Sequence, residues 1–164
     1  HNGTMINSTL IRETVLRGEI EEARQLLGDY YRIRGVVGPG MRRGRHLGFP
    51  TANLKLNFPY CLPVDGVYFT YAHIGDQTYP ALTNIGNNPT FEGAERKIET
   101  HVLDFSGDLY DTEIQLSFVK FLRPDLRFKT VQALIDQMKI DEQTARRLIV
   151  EQKLARENEN KRFS

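Results

Sequence analysis

The chain has 164 residues, 40% of them hydrophobic and 26% charged, with a formal net charge of +1 and a single cysteine. Those totals fit one core-forming domain with a small appendage, and they exclude a disordered chain, a disulfide-stapled scaffold and a strongly basic nucleic-acid binder. No apolar run nears the ~20 residues needed to cross a bilayer.

The start, His1 to Met5, carries no apolar signal core and reads as vector-derived sequence outside the fold. In "INSTLIRETVLRGEIEEARQLLGDYY", Ser8 or Thr9 can cap a helix that Gly18 ends. Ile20, Ala23, Leu26 and Leu27 then recur at helical spacing up to Gly28. From Tyr31 to about Leu122 the texture changes to strand-like runs between Gly, Pro, Asn and Asp turns. The expected strands are 32–37, 52–56, 66–74, 78–85, 97–105 and 113–122. In the last, Ile114, Leu116 and Phe118 face one way and Glu113, Gln115 and Ser117 the other. Six strands without alternating helices predict a mainly β fold, an antiparallel sheet closed into a barrel that leaves little exposed edge.

Helical periodicity returns near the end. Thr130 caps a segment with Val131, Leu134, Ile135 and Met138, and Asp141 caps a second with Ala145, Leu148, Ile149 and Leu154. The polar residues 156–164 are expected to fray. The domain reading is a helical linker over 6–30 and one domain over 31–164, with its barrel running to about 128 and helices over 130–160. Cys61, the lone cysteine, suits a reducing compartment, hence the cytoplasm, and reads as a packing residue.

The stretch "GRHLGFPTANLKL" carries the chemistry. If the segment after Pro50 is a strand, Thr51 and Asn53 lie on one face and their oxygens converge. Magnesium prefers oxygen ligands and commonly takes few from protein, drawing charge from substrate phosphates. Just upstream, Gly38, Gly40, Gly44 and Gly48 let the backbone approach an anion, and Arg45 offers it a guanidinium. A plain strand start and a solvated arginine loop would explain either half alone; together they favour a phosphate site with Mg2+. In "KIETHVLDF", Glu99, His101, Leu103 and Phe105 share a face. Glu99 is the candidate base for moving a hydroxyl proton, while a single strand histidine such as His101 more often makes a structural hydrogen bond. Tyr110, Phe121, Leu122, Arg123, Arg127 and Phe128 could wall a small-molecule pocket or simply pack.

The runs "GVVGPGMRRGRHLGFPTANL", "DGVYFTYAHI", "NIGNNPTF", "ETHVLDF" and "DLYDTEIQLSFVKFLRP" resemble the riboflavin kinase module of bacterial bifunctional riboflavin kinase/FAD synthetases, from about Tyr31 to Arg147. The resemblance implies a six-stranded antiparallel Greek-key barrel with C-terminal helices. It implies ATP-dependent phosphorylation of the riboflavin ribityl 5′-hydroxyl to FMN, the alternative being a barrel that binds flavin or nucleotide without turnover. It places magnesium and ATP on Thr51 and Asn53, the catalytic acid on Glu99, and a glycine-rich flap on Gly40 to Gly48 with Arg45 as its basic residue. Further nucleotide contacts fall near Val102, Asp104 and Tyr110, and flavin contacts on Arg123, Arg127 and Phe128. Arg127 departs from the lysine often found there. Residues 6–30 resemble the linker after an adenylyltransferase module, with Ser8, Thr9 and Arg12 as relics of its last motif. The expected partners are riboflavin or FMN, ATP or ADP, and an N-terminal adenylyltransferase domain in a longer protein. No nucleic acid, membrane or FMN adenylyltransferase activity is expected of this chain alone.

Overall fold

The computed structural model describes residues 8–39, 50–90 and 93–163. The chain divides into two compact units, one running to Arg127 and the other from Phe128. The first unit opens with two short helices, α1 (Ser8–Leu16) and α2 (Ile20–Leu27). Gly28 ends α2 in the left-handed region at φ 78°, its N–H bonded to the Arg24 carbonyl, which is how a glycine stops a helix without strain. The helix α2 packs against strands β1 (Tyr31–Gly38) and β6 (Glu113–Pro124), and its Ile20 joins the barrel's core cluster.

Between them run β2 (Ala52–Leu56), β3 (Gly66–Ile74), β4 (Gln77–Thr90) and β5 (Gly93–Val102). The six strands close into a barrel in the order β1-β2-β5-β4-β3-β6, every pair antiparallel. Three consecutive strands, β3 to β5, are followed by β6, which returns beside β3; this is the Greek-key connection. The interior is filled by alternate residues, among them Ile33, Val37, Tyr68, Ile85, Ile98, Ile114 and Phe118. Tyr68 and Phe118 meet edge-to-face at 5.3 Å and 90°. A chain of buried hydroxyls also threads this interior, from Thr70 to Thr83 (2.8 Å) to Thr100 (3.1 Å), so the polar atoms there satisfy one another. Gly35 lets β1 and β2 run close: a Cβ there would stand 2.5 Å from the Lys55 carbonyl oxygen.

Several elements differ from the sequence reading. Strand β4 runs on to Thr90, because pairing of Gly86 with Lys97 through Thr90 with Gly93 overrides the turn-like composition of "GNNP". Strand β5 stops at Val102 rather than Phe105, since Asp104 takes φ 59° and turns the chain. Leu103 therefore leaves the strand, and its N–H bonds the Pro80 carbonyl at 2.9 Å. Ser117, expected toward solvent, is fully buried: Arg32 Nε donates to its hydroxyl at 3.0 Å, and His73 Nε2 lies 2.8 Å away.

The second unit holds one helix, α3 (Val131–Phe163), where two were expected. Thr130 caps it, its Oγ1 accepting the Ala133 N–H at 3.1 Å. Asp141 does not start a new helix. Its Oδ1 accepts from Gln137 Nε2 at 3.0 Å, one turn back, and no Gly or Pro near it breaks the backbone ladder. The polar end continues as helix through Phe163 instead of fraying.

Candidate active site

A cavity of about 590 Å³ opens at the barrel mouth where β1 ends, β2 begins and β5 ends. Its size suits a small molecule. Thr51, Asn53, Glu99, Val102 and Tyr110 all line it, so the barrel brings together residues far apart in sequence. Asn53 stands opposite Gly38 on β1 and Glu99 on β5. Ala52 and Leu54, its neighbours in sequence, point into the core, which sends Asn53 to the outer face beside Glu99. His101, two residues beyond Glu99, has its Nδ1 2.8 Å from the Pro50 carbonyl oxygen and so ties β5 to the residue preceding Thr51. That is the structural role expected of a strand histidine.

The far wall of the cavity is the loop from Phe105 to Tyr110. It is pinned to the end of β1 by two backbone bonds, Asp111 N–H to Val37 O at 2.8 Å and Val37 N–H to Thr112 O at 2.9 Å. The Tyr110 N–H is held by Asp108 Oδ1 at 2.9 Å, leaving the ring 55% exposed over the opening. Sequence reasoning named Tyr110 but missed Ser106, Gly107 and Asp108, which also line the cavity. The signal available was Gly107, which adopts φ 139° as the loop turns.

Asp104 sits exposed in the turn after β5 and is not part of the cavity lining. Arg123 lies in β6, half-buried, and Arg127 is exposed at the end of the first unit. Neither lines the cavity. Phe128 begins the second unit. Gly40 and Arg45, with the rest of the expected glycine-rich flap, lie outside the described residues. Pro39 and Pro50, on either side of that segment, both line the cavity.

The strand register connects the cavity to Arg123. Reading across the sheet, Asn53 faces Glu99, Glu99 faces Asn84, Asn84 faces Val67, and Val67 faces Arg123. Directly opposed residues share a face, so this row crosses five strands on the outer side of the barrel, with Asn84 at its centre and Glu99 beside it. Asn84 was missed at the sequence level because asparagine inside a strand reads as a turn residue. Asp125, just past β6, hydrogen-bonds Asn84. Burial pushes the Asp125 carboxyl above the usual carboxylate range, nearby Asp65 adds to the rise, and Arg123 with the Asn84 bond opposes it. As a whole residue Asp125 is exposed.

A closed Greek-key barrel with a cavity of small-molecule size at its mouth, walled by a carboxylate and neutral oxygen side chains, has the architecture of a small-ligand barrel. Comparison with known proteins narrows this. The family model for flavokinase, riboflavin kinase, matches residues 27–149. A bifunctional riboflavin kinase/FMN adenylyltransferase of Listeria monocytogenes is 42% identical over 142 residues, covering 86% of this chain and 45% of the relative. The Bacillus subtilis protein of the same description is 37% identical over 143 residues, covering 85% and 45%. A solved structure from Streptococcus pneumoniae, described as a macrolide-efflux protein, superposes with TM-score 0.85 at 38% identity, covering 89% of this chain and 48% of that one. The chain belongs to the riboflavin kinase family. It spans about half the length of the curated relatives it matches. Among the described residues, no helix is long and apolar enough to cross a membrane.

Proposed function

We propose that this chain transfers the γ-phosphoryl group of ATP to the ribityl 5′-hydroxyl of riboflavin, giving FMN and ADP. The observation that carries the reading is the Glu99 carboxylate standing opposite Asn53 on the wall of the mouth cavity, in a chain of the riboflavin kinase family. Thr51 and Asn53 supply hard, neutral oxygens, a donor set that fits Mg2+ bound together with nucleotide phosphates. When bound, the metal would neutralise charge on the phosphates as the phosphoryl group moves.

The chain's own residues do the rest. Glu99 orients the acceptor hydroxyl toward the γ-phosphorus. The hydroxyl oxygen forms the new bond to phosphorus, the bond to the β-phosphate oxygen breaks with its electron pair leaving on ADP, and the hydroxyl proton passes to Glu99. Because that transition state is loose, the proton moves late, and most of the acceleration comes from positioning and charge stabilisation. His101 serves indirectly, holding the backbone at Pro50 so that Thr51 keeps its place. The segment from Gly40 to Gly48, with Arg45, is assigned to the phosphates because both its flanking prolines reach the cavity. Val102, Asp104 and Tyr110 are assigned to the nucleotide, and Arg123, Arg127 and Phe128 to the flavin. Residues 6–30 are read as the join to an adenylyltransferase domain of the kind named in the relatives, and the working compartment as the cytoplasm.

The test is incubation of the chain with riboflavin, ATP and Mg2+ followed by chromatographic separation of flavins. FMN without FAD is the expected product. Flavin binding with no FMN would replace this reading with a non-catalytic binding barrel.

A further inference from the structure

One buried oxygen beside Glu99 has no hydrogen-bond partner among the described residues and no role in the mechanism so far. Asn84 lies directly opposite Glu99 across β4 and β5, its side chain on the same outer face. Its amide is engaged by the Asp125 carboxyl. Its Oδ1 is the buried side-chain polar atom without a hydrogen-bond partner among the described residues. Buried acceptors are almost always satisfied, so an orphan next to a reacting carboxylate calls for a donor.

Asn84 is not itself on the cavity wall; it stands one strand over from Glu99, which is. Gly86 follows two residues on, on the same face. A Cβ built there would stand 2.8 Å from Asp125 Oδ2 and 3.7 Å from Asn84 Oδ1. Two acceptor oxygens, from β4 and from the residue after β6, therefore flank the bare backbone of a glycine. Any larger residue would meet the Asp125 carboxyl and displace it, so glycine lets that carboxyl pack close to Asn84. A hydroxyl or an N–H satisfies such a place; an apolar group or another acceptor does not.

We infer that Asn84 is a specificity-determining residue whose Oδ1, fixed by Asp125, accepts a hydrogen bond from a secondary hydroxyl on the polyol chain of the acceptor substrate. The inference rests on the phosphorylation proposed above, in which Glu99 holds the terminal hydroxyl of that chain. Adjacent strands lie about 4.8 Å apart, a span of a few carbon–carbon bonds. A polyol whose end sits at Glu99 thus carries another hydroxyl within reach of Asn84, its cross-strand neighbour.

The experiment compares riboflavin with analogues in which one secondary ribityl hydroxyl at a time is replaced by hydrogen, using the wild-type chain and Asn84→Ala. For one analogue, wild-type kcat/KM is expected to fall about tenfold or more, the loss that follows when a buried partner is left unpaired. Asn84→Ala should show a similar fall with riboflavin itself, no further loss with that analogue, and an unchanged KM for Mg·ATP. A merely structural role would not produce that coupling. The inference is overturned if wild type handles every analogue like riboflavin, a result that needs no variant, or if Asn84→Ala keeps the wild-type discrimination. A wild-type chain that makes no FMN would remove the proposed function and this inference together. FMN formation without coupling would remove the inference alone.

Discussion

Asn53 and Glu99 face each other across β2 and β5 at the rim of the mouth cavity, one from the strand that opens after Pro50 and the other three residues before β5 ends. The pairing places a neutral oxygen donor and a carboxylate side by side without a salt bridge between them. Glu99→Gln keeps the shape and the hydrogen-bonding capacity but removes the proton acceptor. Turnover to FMN should fall by ~10²-fold or more, the usual worth of a positioned acid or base, with KM for Mg·ATP nearly unchanged. Initial rates at saturating substrates check this, and an unaltered kcat would take Glu99 out of the chemistry.

Thr51 differs from Glu99 in what it should cost. It stands just before β2, half-buried, with Pro50 fixed by His101 on one side and Asn53 on the same face two residues on. Thr51→Ala removes one hard oxygen from the proposed Mg·ATP site. Mg·ATP affinity should drop on the order of tenfold, as expected for a contact to a charged group, while riboflavin binding in the absence of ATP stays as it was. Titration calorimetry with each ligand separates the two. Equal weakening of both would mean that the substitution disturbs the rim as a whole.

Much of this site is legible in the sequence, and the reason is periodicity. Thr51 and Asn53 are two apart after a strand-opening proline, and Glu99 sits in a run whose alternation fixes its face. What stayed hidden depends on register between strands distant in sequence. Nothing local to "TNIGNNPTF" says that Asn84 falls beside Glu99, or that Gly86 lies against the Asp125 carboxyl. The same limit explains the strand ends. "GNNP" has turn composition, and only its pairing with β5 keeps it extended to Thr90. Aspartate favours caps, so the sequence alone points to a break at Asp141, yet a glutamine one turn earlier occupies its side chain and the helix runs on.

On the opposite side of β3 from the core, His73 makes stability depend on pH. Its Nδ1 lies 3.0 Å from Thr78 Oγ1 and its Nε2 2.8 Å from Ser117 Oγ, while Arg32 shares the Ser117 hydroxyl. Burial, and then the Arg32 charge, hold its imidazole below the usual value of 6.5. A lowered pKa in the folded state means the native structure favours the neutral ring. Its contribution is complete above about pH 6.5 and is lost as pH falls through the lowered folded value. The melting temperature should therefore fall between pH 8 and pH 5, and fall less in His73→Gln, which cannot titrate. Identical slopes in the two proteins would show that carboxylates elsewhere account for the whole effect.

Phe118 supports the barrel where β6 meets β1 and β3. It is fully buried, opposite Tyr31 on one side and Thr70 on the other, with the Tyr68 ring against its face at 5.3 Å. Tyr68 is locked in turn, its hydroxyl donating to the Val64 carbonyl while burial raises its pKa. Phe118→Ala would leave a void among rings that cannot collapse into it, since Tyr68 is held at both ends. A loss of about 3–5 kcal/mol is expected, the range for deleting a buried phenyl ring, a sizeable share of the roughly 5–15 kcal/mol that holds a single domain folded. Denaturant unfolding of the two proteins measures it directly. Phe118→Leu should recover more than half of the loss, because it refills most of the volume without new polar atoms. If leucine recovers nothing, the edge-to-face contact with Tyr68 rather than packing volume is what Phe118 supplies.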